Sequence, residues 1–177
     1  MNRTVLIVGA LVVTPLLIFL ALSFQSDPRA IESPLVGRPA PDFTLQGMDG
    51  NVVRLSDLRG QPVVLNFWAT WCQPCIKSIP LLNEMSDDFG NLGVNFIGVS
   101  VDGPRNQSKI KPIIQSMGIG YPIIRDMDSE LMSELGVTAV PTLLVYDSEG
   151  ELLFYHEGFR PGDEEILRKS IEEHLAE

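Results

Sequence analysis

The chain has 177 residues, 45% apolar and 20% charged, and 13 Lys+Arg against 23 Asp+Glu leave a formal charge of -10. That apolar content excludes a disordered chain, and an acidic balance without basic clusters argues against nucleic acid as the main partner. Its two cysteines, Cys72 and Cys75, are too few for a disulfide-stapled scaffold or a four-cysteine metal site.

The charge is unevenly spread. Residues 4–24 (TVLIVGALVVTPLLIFLALSF) contain no charged side chain, and 16 of these 21 are Ala, Val, Leu, Ile or Phe. As a helix the segment would be roughly 31 Å long, enough for a hydrocarbon layer of about 30 Å. Its length favours a retained single-pass anchor over a cleaved signal peptide, whose apolar region is usually about 7–15 residues. Arg3 before the segment, against nearly balanced Asp27, Arg29 and Glu32 after it, puts the N-terminus in the cytoplasm. Everything downstream then lies on the outer face, in the periplasm of a Gram-negative cell, where disulfides persist. The expected organisation is an anchor over 1–24, a proline-rich tether over 25–41 and a domain over 42–177.

Within the domain, Asp42 to Leu45 and Val52 to Leu55 alternate apolar and polar residues about Met48-Asp49-Gly50-Asn51, which predicts a hairpin. Pro62 to Trp68 is a nearly continuous apolar run, as expected of a strand buried on both faces. A helix follows over Cys72 to Phe89, its buried stripe being Ile76, Ile79, Leu82 and Met85, with a kink expected at Pro80. Further strands are predicted at Val94 to Val101, Tyr121 to Arg125, Thr142 to Tyr146 and Leu152 to His156. Helices are predicted at Asn106 to Met117, interrupted by Pro112, at Ser129 to Leu135, and from Asp163, which caps the last one. This order implies an α/β sheet with parallel crossovers early and an antiparallel hairpin late.

Chemistry concentrates at Trp71-Cys72-Gln73-Pro74-Cys75. Two thiols separated by two residues at a helix start can close a small ring where the helix dipole supplies partial positive charge. Cys72, at the helix N-terminus, is the candidate attacking sulfur; Cys75, one turn further in and more buried, is the candidate resolving sulfur. Pro74 suits the first turn and stiffens the ring. A purely structural disulfide gains little from so short a loop. Zinc finds no ligand spacing, because His156 and His174 lie in a strand and in the last helix. No metal or organic cofactor is expected beyond the Cys72-Cys75 couple itself. Trp71 is a candidate apolar platform for a partner, Trp68 a core residue, Lys77 a solvated helix residue, and His156 a decoration near the sheet edge.

Asn66-Phe67-Trp68-Ala69-Thr70-Trp71-Cys72-Gln73-Pro74-Cys75, with Pro80 and the distant Val140-Pro141-Thr142, resembles the thioredoxin superfamily. That resemblance implies a central mixed sheet flanked by helices, a cis Pro141 facing the cysteines, and a Val140 backbone that pairs with a substrate strand. The anchor, the Gly37-Arg38-Pro39-Ala40-Pro41-Asp42-Phe43 entry, the N-terminal hairpin and an α/β insert between Val101 and Leu135 resemble the membrane-tethered ResA, TlpA and DsbE/CcmG group. It implies protein disulfides as substrates, above all those of apocytochrome c, and a membrane thiol transporter of the DsbD/CcdA type as electron donor. Three positions depart from the group. Asn66 stands where thioredoxins hold a buried Asp, Ser78 where many ResA and CcmG proteins hold Glu, and Thr142 where typical CcmG proteins have Glu after the proline. Proton transfer from the buried cysteine would then fall to water, to an acid such as Glu84 or Asp102, or to no special group. A general TlpA-like reductase, an oxidase, and a binding or chaperone module without redox turnover stay open beside the cytochrome reading.

Overall fold

The computed structural model describes residues 33–175. The anchor over 1–24 and the first part of the tether lie outside the described residues. Among those described, no helix is long and apolar enough to cross a membrane.

Ser33 to Pro41 is laid against the sheet although its composition reads as tether. Gly37 N–H donates to the Leu152 carbonyl (2.8 Å), Leu152 N–H to that of Arg38 (2.9 Å) and Ala40 N–H to that of Gly150 (2.8 Å). Ala40 is buried and Leu35 packs on the core, so the folded region begins before residue 42.

The expected hairpin forms from β1 (Thr44–Gln46) and β2 (Val52–Arg54), antiparallel with Leu45 opposite Val53. Its turn closes because the Asp49 carboxylate accepts the Asn51 N–H (3.0 Å) and Gly50 takes φ +90°, a conformation that suits glycine. A 3-10 turn (Leu55–Leu58) follows and drives Leu55 into the core.

The main sheet contains β3 (Val63–Trp68), β4 (Asn95–Ser100), β5 (Ile123–Arg125), β6 (Thr142–Tyr146) and β7 (Leu152–Glu157) in the order β5-β4-β3-β6-β7. β3 pairs parallel with β4 and antiparallel with β6; β4–β5 is parallel and β6–β7 antiparallel. β3 is therefore central and buried at every residue, which is why its sequence does not alternate. Its side chains still divide with period two. Val64 and Trp68 join a core with Cys75, Ile79, Leu82 and Leu167, whereas Leu65 and Phe67 join one with Ile97, Leu131 and Leu144.

The helices are α1 (Gln73–Gly90), α2 (Gln107–Met117), α3 (Glu130–Glu134) and α4 (Asp163–Leu175). Both α1 and α2 continue through their internal prolines, Pro80 and Pro112. Each proline lies on a side exposed to solvent, where water can serve the carbonyl it leaves without a donor. Ser129 does not cap α3: it adopts φ +56°, and the buried Asp126 carboxylate accepts from the N–H groups of Leu131 (3.2 Å) and Met132 (2.8 Å). Asp163 is the first residue of α4, and its carboxylate turns back to accept the Arg160 N–H (2.7 Å).

Candidate active site

β3 ends at Trp68, and the chain turns through Ala69, Thr70 and Trp71 before α1 begins. Cys72 N–H donates to the Ala69 carbonyl (3.2 Å). The turn is clamped by Asp102, just beyond the end of β4. Its fully buried carboxylate accepts the Thr70 N–H (2.9 Å), the Thr70 hydroxyl (2.7 Å) and the Ser100 hydroxyl (3.0 Å).

That turn delivers Cys72 to the N-cap of α1. Its sulfur takes the place of the usual cap oxygen and accepts the Cys75 N–H at 3.2 Å. Pro74 occupies the first helical turn, where a missing N–H costs nothing. Cys72 and Cys75 are joined in a disulfide with their Cα atoms 5.2 Å apart. Cys72 is 5% exposed and Cys75 1%. The expected order holds, but Cys72 is far more covered than a projecting N-terminal thiol would be.

The loop before β6 comes up against Cys72. The Val140-Pro141 peptide bond is cis, and the Val140 carbonyl oxygen lies 3.5 Å from Cys72 Sγ. The loop is tied from both sides: Gly158 N–H donates to the Pro141 carbonyl (2.7 Å), and the buried Thr142 hydroxyl donates to that of Ala139 (2.8 Å). Trp71, next to Cys72, is 59% exposed, whereas Trp68 is in the core.

Chemically, the arrangement stabilises negative charge on Cys72 Sγ when the S–S bond opens. The Cys75 N–H already points at that sulfur, and the helix N-terminus adds its dipole. Cys75 has no such exposed helix end and is enclosed by the core.

Behind the cysteines, Asn66 and Ser78 are both buried. Asn66 faces the Tyr121 hydroxyl, and burial pushes the Tyr121 phenol well above its ordinary pKa, an effect that Asn66 partly opposes. The Ser78 hydroxyl donates to the Cys75 carbonyl at 2.9 Å. Together with Pro141 and His156 these two side chains line a small cavity. His156 Nε2 sits 3.1 Å from Asp163 Oδ2, with the two side chains 14% and 9% exposed.

Of the two acids considered for proton transfer, Glu84 is exposed and paired with Arg168 (2.7 Å), while Asp102 is occupied with the Thr70 clamp. The sequence reading missed that clamp and the His156–Asp163 pair. A faint signal for the clamp exists in an aspartate that closely follows a buried strand; none exists for the pair.

Comparison with known proteins agrees with this geometry. Residues 36–154 match the AhpC/TSA family. The thiol-disulfide oxidoreductase ResA of Geobacillus thermodenitrificans is 35% identical over 117 residues, 66% of each chain. That of Geobacillus kaustophilus is 34% identical over 140 residues, 79% of this chain and 76% of the relative. Among solved structures, a putative thiol:disulfide interchange protein DsbE from Chlorobium tepidum superposes with a TM-score of 0.74 at 34% identity, covering 79% of this chain and 97% of that one. A dithiol closed across the first turn of α1, set in this fold and among these relatives, makes the chain a thiol-disulfide oxidoreductase similar to the ResA proteins and a member of the AhpC/TSA family.

Proposed function

We propose that this oxidoreductase is a membrane-tethered reductant on the outer face of a bacterial inner membrane, with apocytochrome c as its substrate. Residues 4–24 supply the tether, the N-terminus stays in the cytoplasm, and the domain works in the periplasm. In the reduced protein the Cys72 thiolate attacks a substrate disulfide, forming a mixed disulfide and expelling one substrate thiolate. Cys75 then attacks Cys72, the second substrate thiolate leaves, and two electrons have passed to the substrate. A membrane thiol transporter of the DsbD/CcdA type restores the dithiol.

The observation that carries this reading is the position of Cys72 Sγ, 3.5 Å from the Val140 carbonyl and flanked by the exposed Trp71. A substrate strand hydrogen-bonded to the Val140 backbone beside Pro141, with its apolar side on Trp71, brings its disulfide to that sulfur. Pro74 stiffens the dithiol ring, and Asn66 is the supporting residue on β3, buried and uncharged.

The test is a Cys75→Ser full-length chain, expressed with and without apocytochrome c. A Cys72-linked mixed disulfide with apocytochrome c is expected, and its absence alongside other trapped proteins replaces this substrate by a broader set. That broader, TlpA-like reading is favoured by Thr142, whose hydroxyl is turned inward to Ala139 and leaves no carboxylate beside Pro141. A reduction potential near ~-270 mV fits a reductant, and one near ~-120 mV an oxidase. Function retained by a Cys72→Ala, Cys75→Ala double variant would indicate a binding module instead.

A further inference from the structure

Because β3 and β4 run parallel, β6 runs against β3 and β7 against β6, the ends of β4, β3 and β7 and the start of β6 meet at the end of the sheet that carries the cysteines. Adjacent strands are about 4.8 Å apart, so the ends of β4 and β7 flank Cys72 from either side at a separation of about 14 Å. The two flanks differ in charge.

Arg105 belongs to the loop that leaves β4. That loop is fixed to the Cys72 turn, since Asp102 holds the Thr70 N–H and hydroxyl (2.9 and 2.7 Å) and Gln107 donates back to the Asp102 carbonyl. Arg105 and Lys109, in the first turn of α2, are exposed, and among the described residues neither is paired with a carboxylate. From Phe89 to Arg125 the one acid is Asp102, which is buried and occupied. Asp128 and Glu130 go with α3 to the other face of the sheet, where Leu131 packs.

Glu157 ends β7. Its carboxylate accepts the hydroxyls of Thr138 (2.9 Å) and Tyr155 (3.0 Å). Thr138 lies two residues before Val140, so this negative charge is held beside the loop that meets Cys72. The other exposed charges of that flank cancel, Lys77 and Arg160 against Glu164 and Glu165. The rest of the chain is acidic, but charges more than about 10 Å away are largely screened at 0.1 M salt, which leaves the near ones to act on a bound segment.

We infer that Arg105 and Glu157 orient the substrate by charge: the strand that brings its cysteine to Cys72 carries an acidic residue toward Arg105 and a basic one toward Glu157. In an extended strand the residues two before and two after the cysteine project to the same side as the cysteine and stand about 13 Å apart, close to the separation of the two strand ends. A segment with these charges exchanged meets like charge on both flanks. This orientation presupposes the thiol-disulfide exchange proposed above, and it applies to any protein disulfide, apocytochrome c or another.

The test uses the reduced full-length chain in micelles of an uncharged detergent and two end-blocked peptides of identical composition. Each has one central cysteine, activated as its mixed disulfide with thionitrobenzoate. One peptide places glutamate two residues before the cysteine and lysine two residues after it; the other exchanges them. The Cys72 thiolate bonds to the peptide sulfur, the bond to thionitrobenzoate breaks, and that coloured thiolate leaves with the electron pair, so its release times the attack. The two rates are expected to differ by about fivefold at ~20 mM salt and by less than about twofold at ~0.5 M, and the faster peptide gives the direction in which the strand runs. Equal rates at low salt overturn the inference. Arg105→Glu and Glu157→Gln should each bring the ratio to about twofold or less. Any slowing of Cys72 common to both peptides cancels in that ratio. Arg59→Glu, at the far end of the sheet where the guanidinium donates to the Glu149 carbonyl, should leave the ratio unchanged. A ratio moved as far by Arg59→Glu as by Arg105→Glu assigns the preference to net charge and likewise overturns the inference. If the parent chain releases thionitrobenzoate from neither peptide, it is the dithiol reading itself that falls.

Discussion

Asp102 accepts both hydrogen-bonding groups of Thr70, the backbone N–H at 2.9 Å and the hydroxyl at 2.7 Å, although 32 residues separate them. Because Thr70 lies two residues before the N-cap sulfur, this contact sets the path by which the chain leaves β3 and brings Cys72 to the start of α1. Asp102→Ala leaves three donors, two from Thr70 and one from Ser100, without their acceptor in a buried site. A loss of about 3 kcal/mol in urea unfolding is expected. Asp102→Asn keeps the shape but turns an amide donor toward one of those groups, so roughly half that loss should appear. Both variants should slow attack by Cys72 on a disulfide about tenfold, because the nucleophile is no longer held in place.

Burial sets an alkaline limit to the fold. Tyr121 and Tyr146 are 8% and 2% exposed, and in both desolvation raises the phenol above its ordinary pKa of 10. The folded state thus keeps its protons where the unfolded chain loses them. Stability is complete below pH 10 and falls as pH rises beyond it, by about 1.4 kcal/mol per unit for each neutral tyrosine. The urea midpoint is expected to drop steeply above that pH, and Tyr121→Phe should make the drop shallower. An equally steep drop in the variant would locate the effect elsewhere.

Gly98 pairs with Asn66 on β3 and Ile123 on β5, and a methyl group there meets three side chains. It would overlap Ile123 Cδ1 and lie 3.2 Å from Tyr121 Cε2 and 3.3 Å from Trp68 Nε1. The isoleucine tip can swing aside, but the two rings belong to the core that backs the cysteines. Gly98→Ala is expected to cost about 1–3 kcal/mol and to shift Trp68 fluorescence in the folded state. Unchanged stability and emission would mean that the rings yield without strain.

Much of this fold was legible because the features that build it are local. The nearly continuous apolar run to Trp68 marks a strand covered on both faces, Asp49-Gly50 marks the hairpin turn, and Cys72 at a helix start marks a cap that can carry charge. The other site features depend on chain brought from far away. Cys72 is covered by a carbonyl 68 residues downstream, and no local pattern reports that distance. His156 pairs with Asp163 across the turn that joins β7 to α4, so the periodicity of neither element alone brings them together. Asp126 takes the cap of α3 from Ser129, although both are ordinary cap residues, because only Asp126 is oriented toward the free N–H groups. The cis Pro141 was legible only through family resemblance, since isolated Val-Pro reads as any extended or turn dipeptide.

Trp71 separates a surface that reads proteins from one that merely exposes a thiol. Its 59% exposure is unusual for a tryptophan in a folded domain, and it stands next to the sulfur that substrates must reach. Removing it takes away no core packing, so Trp71→Ala should unfold within about 0.5 kcal/mol of the parent. A small disulfide such as dithiobis(nitrobenzoate) touches little beyond Cys72 and should react at the parental rate. A protein disulfide that lies across the indole should lose about 2 kcal/mol of binding, or roughly thirtyfold in kcat/KM. A parallel loss with both substrates would instead mean that Trp71 acts on Cys72 itself, through the turn that Asp102 holds, and not on the partner.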